Sequence, residues 1–303
     1  MKKIPVGATI AHAYRFALSH FLPVLRALWI PLLLQLAVVL VLSRRMALLF
    51  AATAAKDPSA ATLLGPVLLL FCLAVVLFAA QYAAGMEVAL GRPPHSLFHV
   101  PAGRTMWRLL GGLITGTLLI IIIALILYVV ISILSYAMGE IAKASPSAHI
   151  VVTVIAILVA AAFFSFLALI SIRFLFLLAP VNVSEQKLGI VRAWELSQGN
   201  FWRAFLVALS ILIPVLIANY AISFSVAGLP PSTTGLSKEA ADAARIAWQV
   251  KQLNLLADRW YIALPATALV MLFQFSAGCA AQVFAYRALT EGSAPVTGNG
   301  LPD

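Results

Sequence analysis

The sequence predicts an all-α integral membrane protein in which six transmembrane helices form three hairpins, with amphipathic helices lying at the cytoplasmic interface. Three observations lead there. Of 303 residues, 63% are apolar and 10% charged, with a mean hydropathy of +1.04, whereas a soluble domain spends about a quarter of its residues on Asp, Glu, Lys and Arg. Apolar runs long enough to cross a hydrocarbon layer of about 30 Å recur from one end of the chain to the other. A short segment with an aromatic and nearby basic charge leads into three of them. The even spread excludes a soluble enzyme with a membrane tail, a disordered chain and a disulfide scaffold.

The chain reads as one polytopic domain over 1–290, followed by a flexible tail over 291–303. The first span is placed at 21–42, with Arg26 snorkelling at one interface and Ser43-Arg44-Arg45 marking the other; a longer tilted helix or a half-membrane hairpin fits the same residues. The others are placed at 62–84, 109–136, 150–179, 205–226 and 262–285. Pro5, Gly7, His12, Arg15 and His20 interrupt any signal-peptide core after Met1-Lys2-Lys3, so the start of the chain is expected to be retained. Cys72 and Cys279 fall inside apolar runs and read as small packing residues.

Six spans put both ends of the domain on one side. Twelve Lys and Arg fall on that side and eight on the other, and the excess of basic residues marks the cytoplasm. The expected location is therefore a bacterial inner membrane, with both termini cytoplasmic. The external connection over 228–259 turns helical at Ser237, a suitable N-cap with Glu239 and Asp242 in the favoured first turn. Ala241, Ala244, Trp248 and Leu255 recur at about helical spacing. This suits an amphipathic helix resting on the membrane or a helix capping the bundle without touching lipid.

Ile10-Ala11-His12-Ala13-Tyr14 leading to His20-Phe21 superposes without a gap on Ile190-Val191-Arg192-Ala193-Trp194 leading to Asn200-Phe201, at an offset of 180 residues. A weaker middle copy runs from Ser96-Leu97-Phe98 to Trp107-Arg108, and that pair lies 95 residues before Trp202-Arg203. A threefold repeat of hairpins is one reading; any basic, aromatic-flanked membrane boundary has a similar look.

The stretch Arg173 to Trp202 carries the most information. It runs Arg173-Phe174-Leu175-Phe176-Leu177-Leu178-Ala179-Pro180-Val181, then Glu185-Gln186-Lys187-Leu188-Gly189, then Ala193-Trp194-Glu195-Leu196-Ser197-Gln198-Gly199-Asn200-Phe201-Trp202. It resembles the signature of YciC-like inner-membrane proteins and of the membrane domain attached to some glycerophosphoryl diester phosphodiesterases: an arginine late in a span, Ala-Pro-Val, an acidic residue and a glycine in the turn, then Ser-x-Gly-Asn-Phe-Trp. The resemblance implies an inner-membrane protein tied to the envelope or its lipids. With Asp303 as the last residue, no soluble catalytic domain is expected to follow, so the resemblance implies no phosphodiesterase chemistry. Physically, Pro180 must end the fourth span or start the turn. Ile190, Ala193, Trp194 and Ser197 then share one helical face, Arg192 and Glu195 take the other, and Gly199 supplies a left-handed stop.

Few residues suggest chemistry. His95 and His99 have a metal-compatible i, i+4 spacing, but Pro101 closes the segment and Glu87 is the one nearby carboxylate, so no metal is expected. No acidic residue lies mid-span, and phosphate-cradling, zinc-protease and serine-hydrolase motifs are absent from the sequence; an enzyme is not expected, nor is a cofactor. In-span Gln35, Gln81, Asn219, Gln274 and Gln282 read as interhelical hydrogen-bond glue in preference to a transport path, and Gly112 with Gly116 as a helix contact within the monomer.

The candidate interfacial, lipid or ion-pair residues are Arg173, Glu87, Arg192, Trp194, Glu195, Asn200, Trp202, Arg203, Trp107 and Arg108. A straight fourth helix would hold the Cα of Arg173 about 10 Å inside its cytoplasmic end. Glu87 is the favoured partner, then a lipid phosphate, with Glu195 a further candidate and simple snorkelling equally compatible. The net charge of +10 suits anionic headgroups, so membrane phospholipids are the expected partners, with an unidentified membrane protein possible and nucleic acid not expected. The leading functional expectation is a non-enzymatic protein organising lipids or partner proteins at the cytoplasmic face. A small-molecule or lipid transporter is the first alternative and a membrane enzyme the second.

Overall fold

The computed structural model describes residues 2–92, 103–142, 146–187, 189–229, 231–232, 234–235 and 237–291. Ten α-helices account for nearly all of them: α1 Val6–Ser19, α2 Phe21–Ala54, α3 Ala60–Ala89, α4 Arg104–Ala142, α5 Pro146–Leu175, α6 Leu178–Ser184, α7 Ile190–Ser197, α8 Phe201–Ala227, α9 Lys238–Asp258 and α10 Trp260–Thr290. No strand occurs among the described residues. Six helical stretches are long and apolar enough to cross a membrane: Phe21–Ala54, Ala60–Ala89, Arg104–Ile133, Ile157–Ser184, Phe201–Ala227 and Trp260–Thr290. The six expected spans are therefore six such helices, each reaching beyond the sequence-based limits at one or both ends. The expected tail and the His95/His99 pair lie outside the described residues.

Two boundaries move by enough to matter. The first span does not stop at Ser43-Arg44-Arg45; α2 runs through it to Ala54 as one helix of 34 residues, about 51 Å long. Arginine is a good helix former, and Arg44 has a partner in Asp258 at 3.8 Å, so nothing there halts the helix. The fourth span does not run straight to Ala179. α5 ends at Leu175, and Pro180 becomes the third residue of α6. A proline clashes with the carbonyl four residues before it, here that of Phe176, so the break precedes the ring. Within the first turn of α6 its missing N–H costs nothing.

The structure has two compact units, Met1–Val6 with Arg108–Leu206 and Ala285–Asp303, and Gly7–Trp107 with Val207–Phe284. In the second unit α2 packs against both α3 and α9. Its core joins Phe16 of α1, Val24, Leu28, Leu32 and Leu36 of α2, Ala84 and Val88 of α3, and Leu272, Phe275 and Ala280 of α10. Small residues let α3 and α10 approach closely: Ala79, Ala83, Ala277 and Ala281 are all buried, and the Cys279 thiol donates to the Tyr82 carbonyl at 3.9 Å. Two of the in-span amides act as the expected glue. Gln81 donates to the Pro31 carbonyl at 3.2 Å, and the Tyr82 hydroxyl donates to Gln282. Asn219 departs from that role, for it donates to Val215 of its own helix at 2.9 Å.

The connection between α8 and α10 is helical from Lys238, capped by Ser237, whose hydroxyl accepts from the Ala240 N–H at 3.3 Å. Asp242 and Arg245 pair across one turn at 3.9 Å. The half-buried side chains of α9 include Ala241, Ala244, Trp248 and Leu255, the four that share the expected face. At its far end Arg259 donates to the Val226 carbonyl at 3.2 Å.

In the first unit α5, α6 and α7 pack on one another. Residues Leu178 to Val183 of α6 are all buried. Against them, Gly112 of α4 lies so near Asn182 that a Cβ would collide with the carboxamide nitrogen. A Cβ at Gly116 would meet Leu175 tightly at 3.1 Å and Leu178 in ordinary contact at 3.6 Å, so the two glycines serve a helix contact within this unit.

Burial repeats in the register that the sequence proposed. Ala13, Ala17, Val24, Ala27 and Pro31 are buried, as are Ala193, Ser197, Ala204, Val207 and Ile211, each 180 residues on. In the middle copy Leu109, Gly112 and Gly116 are buried 95 residues before Ala204, Val207 and Ile211. Any helix with a core face shows spacing of this kind; agreement in phase with the sequence alignment is the added information.

Candidate functional site

The candidate residues gather around α7. One face of this helix buries Ala193 and Ser197, with Ile190 and Trp194 half-buried, while Val191, Arg192 and Glu195 are exposed. Gly189 precedes the helix, and its N–H donates to the buried Asn182 Oδ1 at 2.8 Å. The helix ends where Gln198 turns extended and Gly199 takes a φ of +70°, a conformation that costs an L residue about 1–2 kcal/mol. The left-handed stop expected from the sequence stands at that position.

Arg173 lies in the last turn of α5, where exposed carbonyls favour a cation. Its guanidinium carbon sits 4.6 Å from the centroid of the Trp194 ring, and the indole also packs on Phe174, with centroids 4.8 Å apart. Arg173 Nε is buried and has no hydrogen-bond acceptor. Both carboxylates near α7 are engaged by Arg192, Glu185 at 3.5 Å and Glu195 at 3.6 Å, and the Tyr286 hydroxyl donates to Glu185 at 3.3 Å. These pairs are partly exposed, so each contributes about 0–1 kcal/mol. Glu87, the favoured sequence-based partner, is a half-buried residue of α3 in the second unit. Within its own unit the contact drawn for Arg173 is the Trp194 indole.

Asn200 has a different task from the interfacial one expected. It is 2% exposed, and its carboxamide imitates a neighbouring peptide strand: Oδ1 accepts from the Ile4 N–H at 3.0 Å, and Nδ2 donates to the Lys2 carbonyl at 3.0 Å. Arg203 Nη1 donates to the Ile4 carbonyl at 2.9 Å, and Lys2 Nζ to the Thr290 carbonyl at 2.9 Å. The residues before α1, the start of α8 and the end of α10 therefore meet at one place. Sequence spacing does not show the roles of Lys2, Ile4 and Tyr286, because partners 101 to 288 residues away leave no local pattern.

The remaining candidates are surface residues. Trp202 is 70% and Trp107 58% exposed, at matched positions of α8 and α4, and each precedes a half-buried arginine, Arg203 and Arg108. Leu22, the corresponding residue of α2, is also exposed. Comparison of the chain with protein-family models, with curated proteins and with solved structures found no match.

Proposed function

We propose that this chain is a non-enzymatic multi-pass protein of a bacterial inner membrane, with both termini cytoplasmic, that organises anionic phospholipids or partner proteins at its cytoplasmic face. The observation that carries the reading is the pair of exposed tryptophans, Trp107 and Trp202, each beside an arginine at the start of a span-length helix. Indole rings prefer the headgroup boundary, and a neighbouring cation adds about 1 kcal/mol of attraction to an anionic surface. α7, with Arg192 and Glu195 exposed and Ala193 and Ser197 buried, serves as an interfacial amphipathic helix in this reading.

Native mass spectrometry of the protein extracted with its co-purified lipid tests it. Retention of phosphatidylglycerol or cardiolipin over phosphatidylethanolamine is expected, with Trp107→Ala and Trp202→Ala each reducing it and Trp248→Ala leaving it unchanged. No preference among headgroups, or equal losses for all three variants, would sink the reading.

A transporter is favoured by one other observation. Gln35 Oε1, Gln81 Oε1 and Ser276 Oγ, all within span-length helices of the second unit, are buried without a hydrogen-bond partner, and such groups can face a transport path. Solute flux in proteoliposomes that falls with Gln81→Leu would favour it; flux at the level of empty liposomes would remove it.

A further inference from the structure

We propose that Arg173 and Trp194 form a discrete site for a phosphate anion, supplied by a phospholipid headgroup, at the end of α5. The site is distinct from the exposed tryptophans, and it rests on the reading above only in placing this end of α5 at a membrane surface. Three observations converge on it. The guanidinium carbon lies over the Trp194 ring, 4.6 Å from its centroid, a contact that uses the face of the cation and not its N–H donors. One of them, Arg173 Nε, is buried with no acceptor, and a protein interior seldom leaves such a donor unmade. The carboxylates that could answer within the same unit, Glu185 and Glu195, are already drawn to Arg192.

An oxyanion with several acceptor oxygens completes that arrangement. Phosphate matches the guanidinium fork with two parallel bonds, which an ammonium cannot reproduce. α5 and α6 contribute a stretch apolar and long enough to span a membrane, Ile157–Ser184, and Arg173 occupies the last turn of α5. Arg173 lies eleven residues before Ser184, the end of that stretch, so the anion is a headgroup phosphate drawn in to the break between α5 and α6. The α5 C-terminus also repels an anion, so the guanidinium must lie between the carbonyls and the ligand. Trp194 fixes it there.

The full chain in a neutral detergent tests the site, with melting temperature followed as phosphatidylglycerol, phosphatidylcholine or inorganic phosphate is added. Phosphatidylglycerol should raise the melting temperature of the wild type more than phosphatidylcholine does. Arg173→Gln should lose most of that increment and Arg173→Lys about half of it, while Arg245→Gln, on α9, keeps it. An increment of full size in Arg173→Gln would overturn the site. A response to inorganic phosphate as large as to phosphatidylglycerol supports the anion site and assigns it to the free ion. Should Arg173→Gln fail to fold, Arg173→Lys and Trp194→Leu still decide: both must shrink the increment. In a double-mutant cycle, full loss of the Arg173→Gln effect in a Glu87→Gln background overturns the proposal in favour of a carboxylate partner. Loss of the increment with the Trp107 and Trp202 effects intact, or the reverse, separates this site from the broader lipid reading.

Discussion

The joint between α1 and α2 and the joint between α7 and α8 share a sequence register and a burial phase, yet they bend differently. In the first, helical i→i−4 bonding continues across the junction, with the His20 N–H donating to Phe16 at 2.9 Å and the Val24 N–H to His20 at 3.0 Å. In the second, Gly199 takes a positive φ and the Asn200 N–H donates to Ser197, three residues back. The first joint is closed by its own side chains: His20 stacks on Phe16 with centroids 4.4 Å apart and meets Ser19 at 2.9 Å. In the second, Asn200 grips Lys2 and Ile4. Aromatic residues at the matched positions 14 and 194 are both anchors, since the Tyr14 hydroxyl donates to the Ser210 carbonyl at 2.7 Å and Trp194 covers Arg173. The first joint is thus self-contained, and the second recruits a distant segment. Ser19 in the first joint is matched by Gly199 in the second, and the positive φ falls there.

The largest effect that could break this comparison is one of sidedness. Single cysteines at His12 and Lys187, in a background lacking Cys72 and Cys279, should both be protected from an impermeant thiol reagent in intact cells, while one at Lys251 labels. Labelling of one joint and protection of the other would put them on opposite faces and end the idea of a parallel repeat.

Next in size is the grip itself. Asn200→Ala leaves the Ile4 N–H and the Lys2 carbonyl without their partner, and a buried group so stranded costs about 1–3 kcal/mol. Its melting temperature should fall clearly below that of His20→Ala, which removes a ring contact with Phe16 but strands no buried hydrogen-bonding group. Equal losses would mean that the two joints bear alike on stability. Gly199→Ala should cost about 1–2 kcal/mol through its positive φ, and Ser19→Gly well under that, about 0.5 kcal/mol; chemical denaturation reads both. The smallest effect belongs to Arg192→Gln, about 0.5 kcal/mol for two half-exposed ion pairs, to be seen as a slight melting shift that disappears in high salt.

Much of the framework was legible because membrane crossing and helix capping are local. Run length gave the six span-length helices, Ser237 with its acidic first turn gave the start of α9, and Gly199 gave the end of α7. Boundaries set by partners were less legible. Nothing near Arg44 in sequence announces Asp258, so α2 was cut short. Pro180 was read as a stop at its own position, although its clash acts on the carbonyl four residues earlier. For the candidate site, local spacing identified which face of α7 carries Trp194 and which carries Arg192. It did not identify what Trp194 covers, or that Asn200 holds backbone from the opposite end of the chain.

The grip of Asn200 on Lys2 and Ile4 also has a consequence for biogenesis. At a synthesis rate of about 5–20 residues per second, the ribosome needs roughly 10–40 s after making Ile4 to deliver Asn200, and some seconds more for Thr290 to receive Lys2. During that interval Lys2 and Ile4 lack the partners that hold them in the finished fold. A bulky fusion ahead of Lys2 is expected to interfere at this closing step, after the early helices have inserted.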